Sequence, residues 1–229
     1  MDITAPVKSP KQGRKKKRGG FFLRFLGFVV AACMILSIAV AGAVAFVLWK
    51  VSQELPDYEN LARYEPPVMT RIHANDGRLI AEYSRQRRIY VPISAVPKLV
   101  IDAYLSAEDK NFYQHGGLDM QGIVRAVVAN LSGGGGKQGA STITQQVAKN
   151  FLLTSDRNIE RKLKEAILAI RIERAFTKDQ ILELYLNEIY LGGGAYGVAA
   201  AAQRYWDKAL NELTLEEVAY LAVLPKAPS

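Results

Sequence analysis

The chain has 229 residues with 49% hydrophobic content, enough apolar side chain for a packed domain plus a tail, which excludes disorder over the whole length. Its formal charge of +8 is lopsided: residues 1–24 carry eight Lys or Arg against Asp2 alone, so the rest is nearly neutral. That distribution argues against a nucleic-acid-binding globular domain, and the single Cys33 excludes an intramolecular disulfide or a cysteine-based zinc site.

Within the basic cytoplasmic tail 1–24, Met1 to Gly20 is polar and basic (KQGRKKKRGG), a composition that cannot bury enough apolar surface to fold, and is predicted to be disordered. Phe25 to Trp49 follows with 25 residues and no charge. As a helix such a run is about 37 Å long, sufficient to span a bilayer with some tilt. A signal peptide would show small residues like those at 41–45, but its apolar core would be shorter. The Lys/Arg excess before the span places the N-terminus in the cytoplasm and residues after Lys50 outside. Residues 50–67 read as a polar connector. Over 68–95, Val68–His73, Leu79–Tyr83 and Arg88–Val91 read as short strands, with Asn75-Asp-Gly77 as the hairpin turn.

From Pro97 onward the pattern is helical, and 96–229 is expected to form one mainly α domain. A helix from Pro97, with Leu99, Val100, Ala103 and Leu105 on it, ends at Glu108 in the stretch Ala107–Gly117 (AEDKNFYQHGG). A carboxylate at a helix C-terminus opposes the macrodipole, so its pKa tends upward, the direction a general base needs. Leu118 to Leu131 has Ile123, Val127 and Leu131 at helical spacing, widened by Val124 and Val128. The glycine loop 132–139 lacks the Gly-Lys-Ser/Thr of a phosphate loop. Ser141 or Thr142 caps a helix to Phe151, and Ser141 lacks the flanking glycine of a nucleophile elbow.

Along Asn158 to Ala175, projection at 100° per residue puts Ile159, Leu163, Ala166, Ile167 and Ile170 on one side and Arg157, Arg161 and Glu165 on the other, with Lys162 beside them. This strip is either a solvated row of i,i+4 ion pairs or a cationic site for phosphate oxygens. Thr177-Lys-Asp-Gln180 and Thr214-Leu-Glu-Glu217 are capping boxes; they open helices running to about Tyr190 and Pro225. Between them lies the alanine-rich helix 197–206.

Five stretches in order, Glu108–Phe112 with His115 and Gly117, Gly139–Gln146, Arg161–Glu165, Ile181–Asn187 and Glu217–Pro225, resemble the motifs of the peptidoglycan glycosyltransferases. With its anchor and hairpin the chain looks like the front part of a class A penicillin-binding protein. No serine has Lys three residues later, so the transpeptidase nucleophile of that class is not encoded in it. The resemblance implies a lysozyme-like fold that polymerises lipid II on the outer face of the cytoplasmic membrane. Its Glu108 would take the proton from the acceptor GlcNAc 4-hydroxyl, which attacks C1 of the donor MurNAc with inversion and expels undecaprenyl diphosphate.

Glu165 would be the second essential carboxylate, managing the diphosphate with Arg157, Arg161 and Lys162. A divalent cation, Mg or Mn, at the diphosphate is the one cofactor implied. Ser141, Thr142, Gln145, Gln146 and Lys149 match the donor side, and Asn187 of the fourth motif joins the substrate-binding set. Phe112, His115 and Gly117 are structural supports; His115 has no second His or Cys near it in sequence to make a metal site. Partners implied are lipid II, the growing glycan strand, membrane lipids and other cell-wall synthesis proteins, with no nucleic acid. Two rival readings are a membrane-bound muramidase, which would have no use for the cationic strip, and a non-catalytic cell-wall scaffold, in which Glu108 and Glu165 are ordinary surface acids.

Overall fold

The computed structural model describes residues 20–58, 61, 70–83, 87–133, 139–153 and 159–226. The basic segment before residue 20, the end of the connector, the centre of the glycine loop and Arg157 therefore lie outside the described residues. The chain divides into two units, Met1–Lys50 and Val51–Ser229.

The first unit holds most of helix α1 (Gly20–Gln53), which is longer than the apolar run at both ends. Its side chains from Arg24 to Lys50 are exposed, and it is long and apolar enough to cross a membrane. In hydrocarbon a helix is favoured because every backbone polar group is satisfied internally. Ser37 follows the same rule, its hydroxyl donating to the carbonyl of Cys33 at 2.8 Å.

In the second unit, β1 (Thr70–His73) and β2 (Leu79–Tyr83) pair antiparallel, Thr70 opposite Tyr83 and Ile72 opposite Ala81. The expected third strand does not extend this hairpin. Instead β3 (Arg87–Arg88) runs parallel to β4 (Ala195–Tyr196), more than a hundred positions later. Side chains account for the choice: the Arg88 guanidinium lies 4.8 Å from the Tyr196 ring centre and pairs with Glu188, both ends of the pair being largely buried. The aromatic face and the carboxylate together hold the Arg88 guanidinium at β4 and so keep β3 away from the hairpin edge.

The helical part comprises α2 (Lys98–Glu108), α3 (Met120–Leu131), α4 (Ile143–Leu152), α5 (Ile159–Ala175), α6 (Lys178–Glu188), α7 (Val198–Trp206) and α8 (Leu215–Val223). Three start at capping boxes, Thr142/Gln145, Thr177/Gln180 and Thr214/Glu217. Each pairs two otherwise orphaned backbone N–H groups, worth about 1 kcal/mol per cap. Thr142, and not Ser141, is the cap of α4. The core is built on α6, whose Ile181, Leu182, Tyr185 and Leu186 are fully buried, with α4 against both α5 and α6 and α2 against α8. Alanines 200–202 of α7 are buried, small enough for close helix approach.

Two helices turn a different face inward from the one their apolar spacing suggests. In α5 the buried residues are Glu165, Leu168, Ala169 and Ile172, whereas Ile159 is 83% exposed. The helix carries two apolar stripes, and α4 covers the one that includes Glu165. In α3 the small residues Gly122 and Ala126 are buried while Met120, Val124, Val127, Val128 and Leu131 are exposed, Leu131 to 82%. The valine stripe is thus an outer surface and not a core seam.

Candidate active site

Glu108 is the last residue of α2 and is half-buried. Its Oε2 accepts a hydrogen bond from Gln146 Nε2 at 2.7 Å. Burial is the chief cause that raises its pKa above the ordinary carboxylate value, with the neighbouring Asp109 charge adding a smaller push; the Gln146 bond and the Lys226 ammonium pull the other way. The rise expected from the helix end is thus present, but its first cause is desolvation.

Gln146 reaches Glu108 because α4 is held at its first turn. Asp109, buried at the C-cap of α2, accepts from the backbone N–H of Ile143 at 3.1 Å, and the Thr142 hydroxyl donates to the Gly117 carbonyl at 2.7 Å. His115 completes the brace. Its Nδ1 accepts from Gly117 N at 3.2 Å, which leaves the ring proton on Nε2 for donation to Asp109 at 3.0 Å. Gly117 has φ +95°, and a Cβ there would stand 2.9 Å from the backbone of Ala169, so only glycine lets this loop lie on α5. Phe112 is buried beneath, with Lys178 Nζ 4.4 Å from its ring centre. Lys178 also donates to the His115 carbonyl at 2.6 Å and to Glu173 at 2.7 Å.

These elements surround a cavity of about 1010 Å³ lined by Glu108, Asp109, Lys110, Asp119, Gly122, Arg125, Ser141, Thr142, Gln146 and Lys226, among others. Ser141 is the joint to the second acid. Its hydroxyl receives a hydrogen bond from Lys162 Nζ at 3.2 Å, and the same ammonium stands 2.5 Å from Glu165 Oε2. Arg161 Nε lies 3.3 Å from Glu165 Oε1. Glu165 is 1% exposed, so the solvated-strip alternative does not hold for it. A buried carboxylate is tolerated here because two cations one turn away offset its desolvation.

Glu108, Ser141, Thr142 and Gln146 therefore share the cavity wall, and Lys162, Arg161 and Glu165 adjoin it through Ser141. Other expected residues are elsewhere. Gln145 is spent on the α4 cap, its Oε1 accepting from Thr142 N at 2.9 Å, and exposed Lys149 does not line the cavity. Asn187 departs most from its expected place in the substrate-binding set. It is buried, its Oδ1 accepts from Val91 N at 2.8 Å, and its Nδ2 donates to the carbonyls of Val91 and Glu183 at 2.9 and 2.8 Å. With all of these groups engaged by backbone, it fastens the segment before α2 to α6.

Asp109, Lys110, Asp119, Arg125 and Lys226 are cavity residues that sequence reasoning left out. Adjacency to Glu108 was the signal that could have found Asp109 and Lys110, but Lys226 comes from the turn after α8 and carries no local signal. A divalent ion held by protein ligands does not suit this donor set. Glu165 already faces Arg161 and Lys162, Asp109 is taken by His115 and Ile143, and no group of three or more His, Cys, Asp or Glu fit to hold a metal occurs among the described residues.

The profile of the family described as Transglycosylase matches residues 76–229. Penicillin-binding protein 1A of Rickettsia felis is 53% identical over 207 residues, which are 89% of this chain and 26% of the relative. The protein of the same name from Neisseria flavescens is 48% identical over 205 residues, 88% of this chain and 26% of that one. The chain thus spans about a quarter of the length of the curated relatives it matches. Among solved structures, the crystal structure of penicillin-binding protein 1A from Haemophilus influenzae aligns with 72% of this chain and 15% of its own, at 32% identity and a TM-score of 0.35.

Proposed function

The chain belongs to the transglycosylase family, and on that premise we propose that it is a peptidoglycan glycosyltransferase that polymerises lipid II by inverting transfer, releasing undecaprenyl diphosphate. What carries the reading is one juxtaposition: a half-buried carboxylate with raised pKa lines the cavity, and a buried carboxylate flanked by Arg161 and Lys162 adjoins its wall through the hydrogen bond of Lys162 to Ser141.

Glu108 is the general base. Desolvation makes its carboxylate a better proton acceptor than a surface acid, and Gln146 aims it. It takes the proton of the acceptor GlcNAc 4-hydroxyl as that oxygen attacks C1 of the donor MurNAc, while the C1–O bond to the diphosphate breaks. Negative charge then grows on the leaving diphosphate, where Lys162 and Arg161 supply positive charge. Glu165 keeps those two side chains together beside Ser141, and the half-exposed Lys162 ammonium is the one of the two that stands nearest the cavity wall. No step is routed through a metal ion.

The same α3 that contributes Gly122 and Arg125 to the cavity presents its apolar stripe outward. This supports a placement in which the stripe dips into the outer leaflet and the polyprenyl tail stays in lipid while its diphosphate enters the site. The positive-inside asymmetry about α1 supports a cytoplasmic N-terminus with the catalytic part outside.

The test is purified protein incubated with lipid II in detergent, glycan length being read on a gel. Long strands are expected, and Glu108→Gln should reduce them at least about 100-fold, the lower range for loss of a general base. Release of short muropeptides from finished peptidoglycan, with no growth on lipid II, would favour a muramidase and refute the assignment.

A further inference from the structure

Two buried polar atoms in one part of the core have no hydrogen-bond partner among the described residues: Oε1 of Glu108 and the hydroxyl of Tyr185. Glu108 uses its other oxygen for Gln146. Tyr185, on α6, is among the largest fully buried side chains. Tyr104, one helical turn before Glu108 on α2, links their neighbourhoods, its ring meeting that of Tyr185 edge-on with centroids 6.1 Å apart. Tyr104 itself is satisfied, donating to the Leu221 carbonyl at 3.0 Å. A buried hydroxyl and a buried carboxylate oxygen each left unpaired are costly, and one contact relieves both.

We propose that Tyr185 is a positioning residue for Glu108, its O–H donating to Oε1 of the ionised carboxylate, directly or across one water, so that Gln146 and Tyr185 grip the two oxygens from α4 and α6. Glu108 then keeps one orientation while it waits for the acceptor hydroxyl. Burial first, and the Glu108 charge next, hold the Tyr185 hydroxyl well above its ordinary pKa, so it is a neutral donor throughout the working range. The charged groups that act on Glu108 are Asp109 beside it on α2 and Lys226 after α8, while burial and, after it, the Glu108 charge raise the pKa of the neighbouring hydroxyls of Tyr104 on α2 and Tyr185 on α6. Lys110, Asp119 and Arg125 stand around the shared cavity. Tyr185 in turn faces Glu108 and Tyr104.

The inference rests on Glu108 being the base, so it is tested with one readout that needs substrate and one that does not. In Tyr185→Phe the acidic limb of kcat/KM against pH should move up by about one pH unit, as expected for loss of one hydrogen bond to a charged acceptor, with KM for lipid II unchanged. The carboxyl carbon resonance of Glu108, assigned through Glu108→Gln, should titrate with the same upward displacement in the absence of lipid II. Tyr104→Phe should leave both midpoints in place, because its hydroxyl is spent on Leu221. Replacing Tyr185 by 3,5-difluorotyrosine, a stronger donor of nearly the same shape, should move both midpoints down, and this covers the case in which the phenylalanine variant does not fold. An unmoved Glu108 titration in both Tyr185 variants overturns the proposal. A displaced titration in a protein that fails to polymerise lipid II upholds the pairing and removes the glycosyltransferase reading instead.

Discussion

Asp109→Ala is the substitution whose consequences the structure specifies most fully. The wild-type carboxylate is 6% exposed and holds two donors, the Ile143 backbone N–H at 3.1 Å and His115 Nε2 at 3.0 Å. Hydrogen bonds to a charged group contribute roughly 1.5–3 kcal/mol each, and removing the acceptor leaves the fully buried Ile143 N–H unpaired. Non-additivity trims the sum, so a loss of about 4 kcal/mol is expected. At about 2–4 °C per kcal/mol for a domain of this size, Tm should fall by about 10 °C, read by circular dichroism in detergent. Activity should fall beyond the stability loss, because the start of α4 sets where Gln146 meets Glu108. The partners share one network, so Asp109→Ala combined with His115→Ala should cost clearly less than the two single losses added together. A Tm within about 2 °C of wild type, or strictly additive losses, would refute the brace.

Asn187→Ala should behave as a structural change: three hydrogen bonds to backbone are lost, about 3 kcal/mol, with KM for lipid II unmoved; a raised KM at unchanged Tm would return Asn187 to the substrate. The pH profile should respond to the groups around Glu108 in a set order. Both Gln146 and Lys226 favour its ionised form, Gln146 more strongly, so the acidic limb should lie lowest in wild type, higher in Lys226→Met and highest in Gln146→Leu; a downward move in either variant contradicts the sign. Val124→Asp with Val128→Asp, both on the exposed stripe of α3, should weaken cosedimentation of the protein with its α1 segment removed on anionic liposomes while leaving Tm within about 1 °C, and unaltered binding would dissociate the stripe from lipid.

Local chemistry made several features readable from the residues alone. The uncharged run 25–49 lies within one helix, the form that in hydrocarbon satisfies every backbone group inside the segment. Thr142, Thr177 and Thr214 begin their helices because each carries a Gln or Glu three residues on that returns the bond. Glu108 stood out for a similar reason, as an acid at a helix end beside aromatics and a glycine turn. Packing between distant elements decided the rest. Both stripes of α5 satisfy the helical period, and only the arrival of α4 selects the one bearing Glu165. The valines of α3 satisfy it too, yet the helix meets the rest of the unit through Gly122 and Ala126. Asn187 reads as a polar residue in a motif until Val91, about a hundred positions earlier, takes up its amide. Periodicity tells a helix where its faces are, but which face is buried depends on what the remainder of the chain brings against it.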